Sequence, residues 1–379
     1  EVLFGSVGQL ELIPEVAAKR VAWPSPLLPQ LDALIAGHAG SRTCVLASGD
    51  PLLSGIGTTL VRRFGSVAVR VLPAVSSVTL ARARLGWSFE ETEVISSVGR
   101  SVHRVARALA PGARVLVLSS DESTPAEIAS LLTAHGYGTS TLIVLENLDS
   151  ARENRVEGVA REWTHPPGAA LNVVAFQCAA DPGVPLLPLI AGLPDDAFEH
   201  DGQLTKRDLR ASALARLAPM PGQLLWDVGA GAGSVAVEWS RAHPLNRAIA
   251  FERDGERCDR IERNARRLGV PELRVATGDA PDVLAGKDHP DAIFVGGGVS
   301  VPGMLDACLA ALAPGGRLVA HAVTLESEQA LARAHREHGG ELTRIAVEHA
   351  APLGGFTGWQ PARTVTQWTL IRPYGGHQA

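Results

Sequence analysis

Apolar residues in this chain gather into short runs, each closed by glycine or a polar residue, and the runs alternate with stretches of helical spacing. In the second half, Leu224-Leu225-Trp226-Asp227-Val228 opens into Gly229-Ala230-Gly231-Ala232-Gly233-Ser234, and a helical pattern begins with Val235, Val237 and Trp239. Arg247 to Phe251 predicts a second strand with Glu252 at its carboxyl end, then a helix from Glu256 to Leu268 that Gly269 stops. Leu273 to Thr277 predicts a third strand leading to Gly278-Asp279-Ala280, and Asp291 to Val295 a fourth leading to Gly296-Gly297-Gly298. Repeated strand–helix units predict an open, Rossmann-like α/β sheet whose ligand lies at the carboxyl ends of the strands.

The first half alternates as well, and the fold class throughout is α/β. Strands are predicted over Thr43 to Ala47, Val67 to Pro73, Val94 onward into the Gly99-Arg100 turn, Val115 to Ser120, and Thr141 to Leu145. Helical spacing runs from Leu52 to Phe64 and up to Ala83, and Thr124-Pro125-Ala126-Glu127 starts another helix in the manner of a capping box. After the strand-like Asn172 to Cys178, the run Asp181-Pro182-Gly183-Val184-Pro185 breaks any regular element. At 379 residues the chain suits two full cores. The division expected is 1–180, a linker over 181–192, and 193–379.

Composition narrows the class. Hydrophobic residues make up 46% and charged residues 20%, as in a soluble globular protein, with no apolar run long enough to span a membrane. The net charge of −5 speaks against general nucleic-acid binding. Cys44, Cys178, Cys258 and Cys308 have no metal-ligand spacing and read as thiols of a reducing cytoplasm, so no metal is expected. The chain opens at Glu1 without an initiator Met, which leaves room for a preceding segment.

The glycine run carries the chemistry. An acid followed by G-x-G-x-G differs from the G-x-G-x-x-G of dinucleotide folds. It suits S-adenosylmethionine (SAM), whose methionyl ammonium a carboxylate can meet. Asp227 with the backbone of Gly229, Ala230, Gly231, Ala232 and Gly233 would hold the methionyl part. Glu252 stands where such sheets bind ribose hydroxyls, and Asp279 with Ala280 would flank the adenine. A structural turn and ordinary helix caps would read similarly for each residue alone; together they favour SAM. In the first half, Ser48-Gly49-Asp50-Pro51 between strand and helix is a second ligand-facing turn or a capped connection.

The ordered set Gly49-Asp50-Pro51, Pro73-Ala74-Val75-Ser76-Ser77, Gly99-Arg100, Thr124-Pro125 and Glu146-Asn147-Leu148 resembles the tetrapyrrole (corrin/porphyrin) methylase family, nearest its precorrin methylases acting at position 5. Gly192-Leu193-Pro194-Asp195-Asp196, Phe198 to Gly202 and Gln203 to Arg210, set ahead of the glycine run, are similar to decarboxylating precorrin methylases acting at position 15. The resemblance covers essentially the whole chain. It implies corrin-ring (cobalamin) biosynthesis, SAM as cofactor in both halves, a precorrin substrate and a homo-oligomer. It adds Thr205 to the second SAM pocket, where an N-cap for the helix from Lys206 is the compatible structural role. In the first half it points to Gly49, Asp50, Pro51, Ser76 and Ser77. The family's opening strand and Gly-x-Gly loop would lie ahead of Glu1, and Val98 stands where the family reads His, so methylation at position 5 is expected to be weak.

Losing carbon dioxide from an acetate side chain needs an electron sink, which a conjugated macrocycle provides when a proton is supplied. Lys206, Arg207, Arg210 and His321 are candidates to bind carboxylates or move that proton; helix-face roles compete for each. Phe356 and Trp359, in a glycine-rich segment, suit either a macrocycle cover or a loop anchored in the core. A SAM-dependent RNA or protein methylase with a non-catalytic N-terminal module is the competing reading, since its glycine run would look the same.

Overall fold

The structure, a computed structural model, describes residues 1–374. Strands β1 (Val2–Gly5), β2 (Lys19–Ala22) and β3 (Thr43–Val45) form a small parallel sheet in the order β2-β1-β3. Strands β4 (Thr92–Ser96), β5 (Arg114–Leu118), β6 (Thr141–Glu146), β7 (Asn154–Val159) and β8 (Asn172–Gln177) form a mixed sheet ordered β4-β5-β8-β6-β7. Side-chain alternation gives that sheet two apolar faces. Val115 and Val117 point into one cluster with Ile128 and Leu132, while Leu116 points into another with Val78 and Ala81.

The second half is built on β9 (Leu224–Val228), β10 (Arg247–Glu252), β11 (Arg274–Thr277), β12 (Ala292–Val295), β13 (Arg317–Ala322), β14 (Glu341–Ile345) and β17 (Val365–Ile371). Between β14 and β17, strands β15 (Glu348–Leu353) and β16 (Phe356–Pro361) form a separate hairpin. The seven-stranded order is β11-β10-β9-β12-β13-β17-β14, parallel through β13, with β17 antiparallel to both neighbours. Every residue of β9 is buried, because helices cover both faces of the central strand. Leu224, Trp226 and Val228 face one cluster and Leu225 the other. This is the Rossmann-like sheet expected from the strand–helix repeat.

Several local expectations are corrected. Val67 to Pro73 forms no strand: Val67 and Leu72 are exposed, and the segment pairs with none of the described strands, so it has no hydrogen-bond ladder. The helix expected from Leu52 begins at Ile56, since Leu53 N donates to Asp50 O and Gly55 closes on Pro51, making residues 51–55 a turn. The helix Thr124–Ala134 lacks the capping box. Its N-cap is Ser123, whose hydroxyl bonds the Asp121 and Glu127 carboxylates, while Thr124 Oγ1 accepts from the Ser120 and Asp121 amides. Helix Arg207–Leu217 is capped at Lys206, so Thr205 is not its N-cap. Phe356 and Trp359 are exposed, which removes the core-anchor role; Gly354-Gly355 is a two-residue hairpin turn.

Candidate functional site

The parallel strands of the second half all end on one edge, and a cavity of about 1150 Å³ opens there. Val228, Glu252, Gly278, Gly296 and His321 reach it from the ends of β9 to β13, as open α/β sheets require. Gly229 and Gly231 adopt positive φ of 69° and 57°. A Cβ on Gly231 would stand 2.6 Å from Gln203 O, and one on Gly229 would stand 3.0 Å from Gly297 N. Close packing of protein loops on one another therefore requires glycine at both positions.

The amides of the loop are also spent within the protein. Gly229 N and Ala230 N donate to Phe251 O, Gly231 N to Glu252 Oε2 at 2.9 Å, Ala232 N to Gln203 O and Gly233 N to Ala230 O. The loop therefore has no row of free N–H groups to offer a phosphate; of its carbonyls, those of Ala230, Ala232 and Gly233 are taken by Gly233 N, Asn264 Nδ2 and Val237 N, and those of Gly229 and Gly231 accept no hydrogen bond among the described residues. Glu252 is buried and also accepts from the Arg253 and Asp254 amides, so its carboxylate is fixed in the wall of the cavity.

The other expected residues divide. Thr205, Lys206, Arg207, Gly229, Ala230, Gly231, Glu252, Asp279, Ala280 and His321 line the cavity. Ala232 and Gly233 lie behind it. Asp227 is buried beneath the loop, accepting from Ala236 N at 3.0 Å, and burial pushes its carboxyl up to about 7. It supports the loop from below and does not line the cavity. Arg210 is fully buried: Nε donates to Glu238 Oε1 at 2.5 Å, and its other nitrogens bond Asp195 and the Thr205 and Leu193 carbonyls. With its donors spent, it anchors the segment that walls the cavity and has no reach to a substrate.

His321 is buried between the Phe294 ring and Gln367, whose Oε1 lies 2.9 Å from Nε2. This bond to the Gln367 side-chain amide fixes the ring's orientation. Burial lowers its pKa, so the ring is uncharged near neutral pH. Lys206 Nζ stands 3.5 Å from Asp195.

Arg253, Arg257, His349 and Arg363 also line the cavity and escaped sequence reasoning. His349 and Arg363 flank the hairpin base; only its Gly-Gly turn signals that this segment folds back to the sheet. In the first half, Gly49 packs against Ser76, which brings the Gly-Asp-Pro turn onto the Ser76-Ser77 turn. Asp50 and Ser76 line a smaller cavity, whereas Gly49, Pro51 and Ser77 sit behind them.

No helix among the described residues is long and apolar enough to cross a membrane. Residues 196–372 match the family described as precorrin methyltransferase domain, and residues 32–164 that of the tetrapyrrole (corrin/porphyrin) methylases. Over 98% of its length the chain is 49% identical to a Mycobacterium tuberculosis protein named precorrin-6Y C(5,15)-methyltransferase [decarboxylating], covering 93% of it. A protein of the same name from a Sinorhizobium species is 47% identical over 98% of this chain and 90% of its own. Among solved structures, the C-terminal domain of precorrin-6Y C5,15-methyltransferase from Rhodobacter capsulatus is 45% identical, covering 49% of this chain and all of that one, with a TM-score of 0.47.

Proposed function

Because this chain belongs to the family of decarboxylating precorrin-6Y C5,15-methyltransferases of cobalamin biosynthesis, we propose that its second half, residues 193–379, decarboxylates a precorrin and methylates it at position 15, and that its first half, residues 1–180, methylates position 5. SAM is the proposed methyl donor. When bound it supplies an electrophilic methyl on a cationic sulfur.

The observation that carries this reading is the convergence of the loop Gly229–Gly231, Glu252 and Asp279 on one cavity whose loop amides are already used. A pyrophosphate would need those amides. A methionyl ammonium needs acceptors, for which the Gly229 and Gly231 carbonyls are the candidates in the loop. Glu252 would receive the ribose hydroxyls and Asp279 the adenine edge. Methyl transfer is an in-line displacement, so positioning supplies most of what the protein contributes, up to ~7–11 kcal/mol of barrier lowering. Lys206, Arg207 and Arg363 on the cavity wall suit the carboxylates of a precorrin. His321, neutral and lining the cavity, is the candidate to accept and return a proton. A nucleic-acid or protein substrate has no comparable support.

Calorimetric titration of the full chain with SAM tests this. Glu252→Ala should weaken binding at the second-half site by about 1.5–3 kcal/mol, because charge-assisted hydrogen bonds are lost. An unchanged affinity would move the SAM site away from the end of β10.

A further inference from the structure

A second cavity, of about 580 Å³, lies where the two halves meet. Asp50, Ser76, Arg100 and Arg104 wall it from the first half; Arg247 at the start of β10 and Glu272 just ahead of β11 wall it from the second. The junction is close-fitted. Arg107 Nε donates to Arg241 O at 2.9 Å and His135 Nε2 to Arg267 O at 2.8 Å. Gly269, at φ 81°, sits where any Cβ would strike the Arg107 backbone.

Five arginines line the cavity against three carboxylates, Asp50, Glu93 and Glu272. Glu272 pairs with Arg104 at 3.3 Å and Glu93 lies 3.9 Å from Arg107. Arg100 and Arg247 are exposed, and their side chains make no hydrogen bond or ion pair among the described residues. One comes from each half. Two unpaired guanidinium groups lining one hollow, one from each half, have the planar fork that suits carboxylates.

We propose that this junction cavity binds edge carboxylates of a tetrapyrrole, and that Arg247 of the second half completes the substrate site of the first. The proposal rests on reading the first half as the position-5 methylase. It makes that reaction dependent on a residue that a free-standing first half would lack.

Uroporphyrin, a planar tetrapyrrole polycarboxylate, is the probe, followed by its fluorescence on the full chain. Two classes of site are expected. Arg247→Ser and Arg100→Ser should each weaken the same class about tenfold or more, and Arg247→Lys should restore only part of the loss. Arg363→Ser, on the larger cavity, should weaken the other class instead. The Arg247 side chain bonds nothing, so its variant should keep the native melting temperature. A single class of site, or two classes that both ignore Arg247→Ser, overturns the proposal. Mass spectrometry of precorrin products separates the two readings: a porphyrin site that responds to Arg247, in a protein whose position-5 methylation is left unchanged by Arg247→Ser, upholds the carboxylate site and sinks its assignment to that reaction.

Discussion

Asp227 has a carboxyl from which water has been removed on every side, and its titration follows from that. Burial raises it from the ordinary 3.8 to about 7, against the single amide of Ala236 that favours the charged form. The folded protein therefore holds a proton that the unfolded chain releases above about pH 4, and stability falls as pH rises from about 4 to about 7. Asp227→Asn keeps an oxygen for Ala236 N and removes the charge. Urea denaturation of the two proteins should show them alike near pH 4 and the variant more stable at pH 8. The gap expected there is about 4 kcal/mol, since each of the roughly three pH units between the folded and unfolded titrations is worth ~1.4 kcal/mol. A gap that does not change with pH would mean the Asp227 carboxyl is solvated.

At the scale of elements, the segment from Gly192 to Lys206 is held by one buried pair. Glu238, on the helix Ser234–Ala242, accepts from the Gly192 and Leu193 amides and from Arg210, which in turn holds the carbonyls of Leu193 and Thr205. Arg210→Met leaves a buried carboxylate short of its cation and should cost about 3–5 kcal/mol in chemical denaturation; a loss below about 1 kcal/mol would mean that the Gly192 and Leu193 amides hold Glu238 without it. The same helix explains what the sequence could and could not disclose. The parallel strands and the acid at the end of β10 are legible because short continuous apolar runs ending in glycine or acid have few other uses. Arg210 looked like a carboxylate binder because burial leaves no mark on an arginine's immediate neighbours in sequence. Val67 to Pro73 has a strand's alternation, but whether an edge is there to receive it depends on distant segments. Arg363 reaches the cavity only because β15 and β16 fold back on themselves, a distance that composition does not encode.

For the molecule as a whole, the proposed units 1–180 and 193–379 are joined by irregular chain fixed at both ends. Asp181 pairs with Arg161 at 2.5 Å, and Gly192 and Leu193 are tied to Glu238. Limited proteolysis should cut between those anchors, near residues 182–191, and give two fragments on a denaturing gel. The contacts of Arg107 and His135 across the junction should keep the nicked protein at its native size in gel filtration. Early cleavage inside either half would count against this division.

The larger cavity lies at the carboxyl ends of β9 to β13, and the junction cavity touches the amino ends of β10 and β11. A six-residue strand such as β10 separates the two edges by about 20 Å. A ring seated in one of the two proposed sites would have its back to the other, as at two benches with no belt between them. Whatever left the first bench would enter the surrounding liquid before it reached the second, and any molecule of the same kind already there would compete with it on equal terms. When isotopically labelled precorrin is converted in the presence of excess unlabelled, once-methylated intermediate, the label in the twice-methylated product should fall in proportion to the excess. Label retained against that excess would require a private passage around the rim of the sheet.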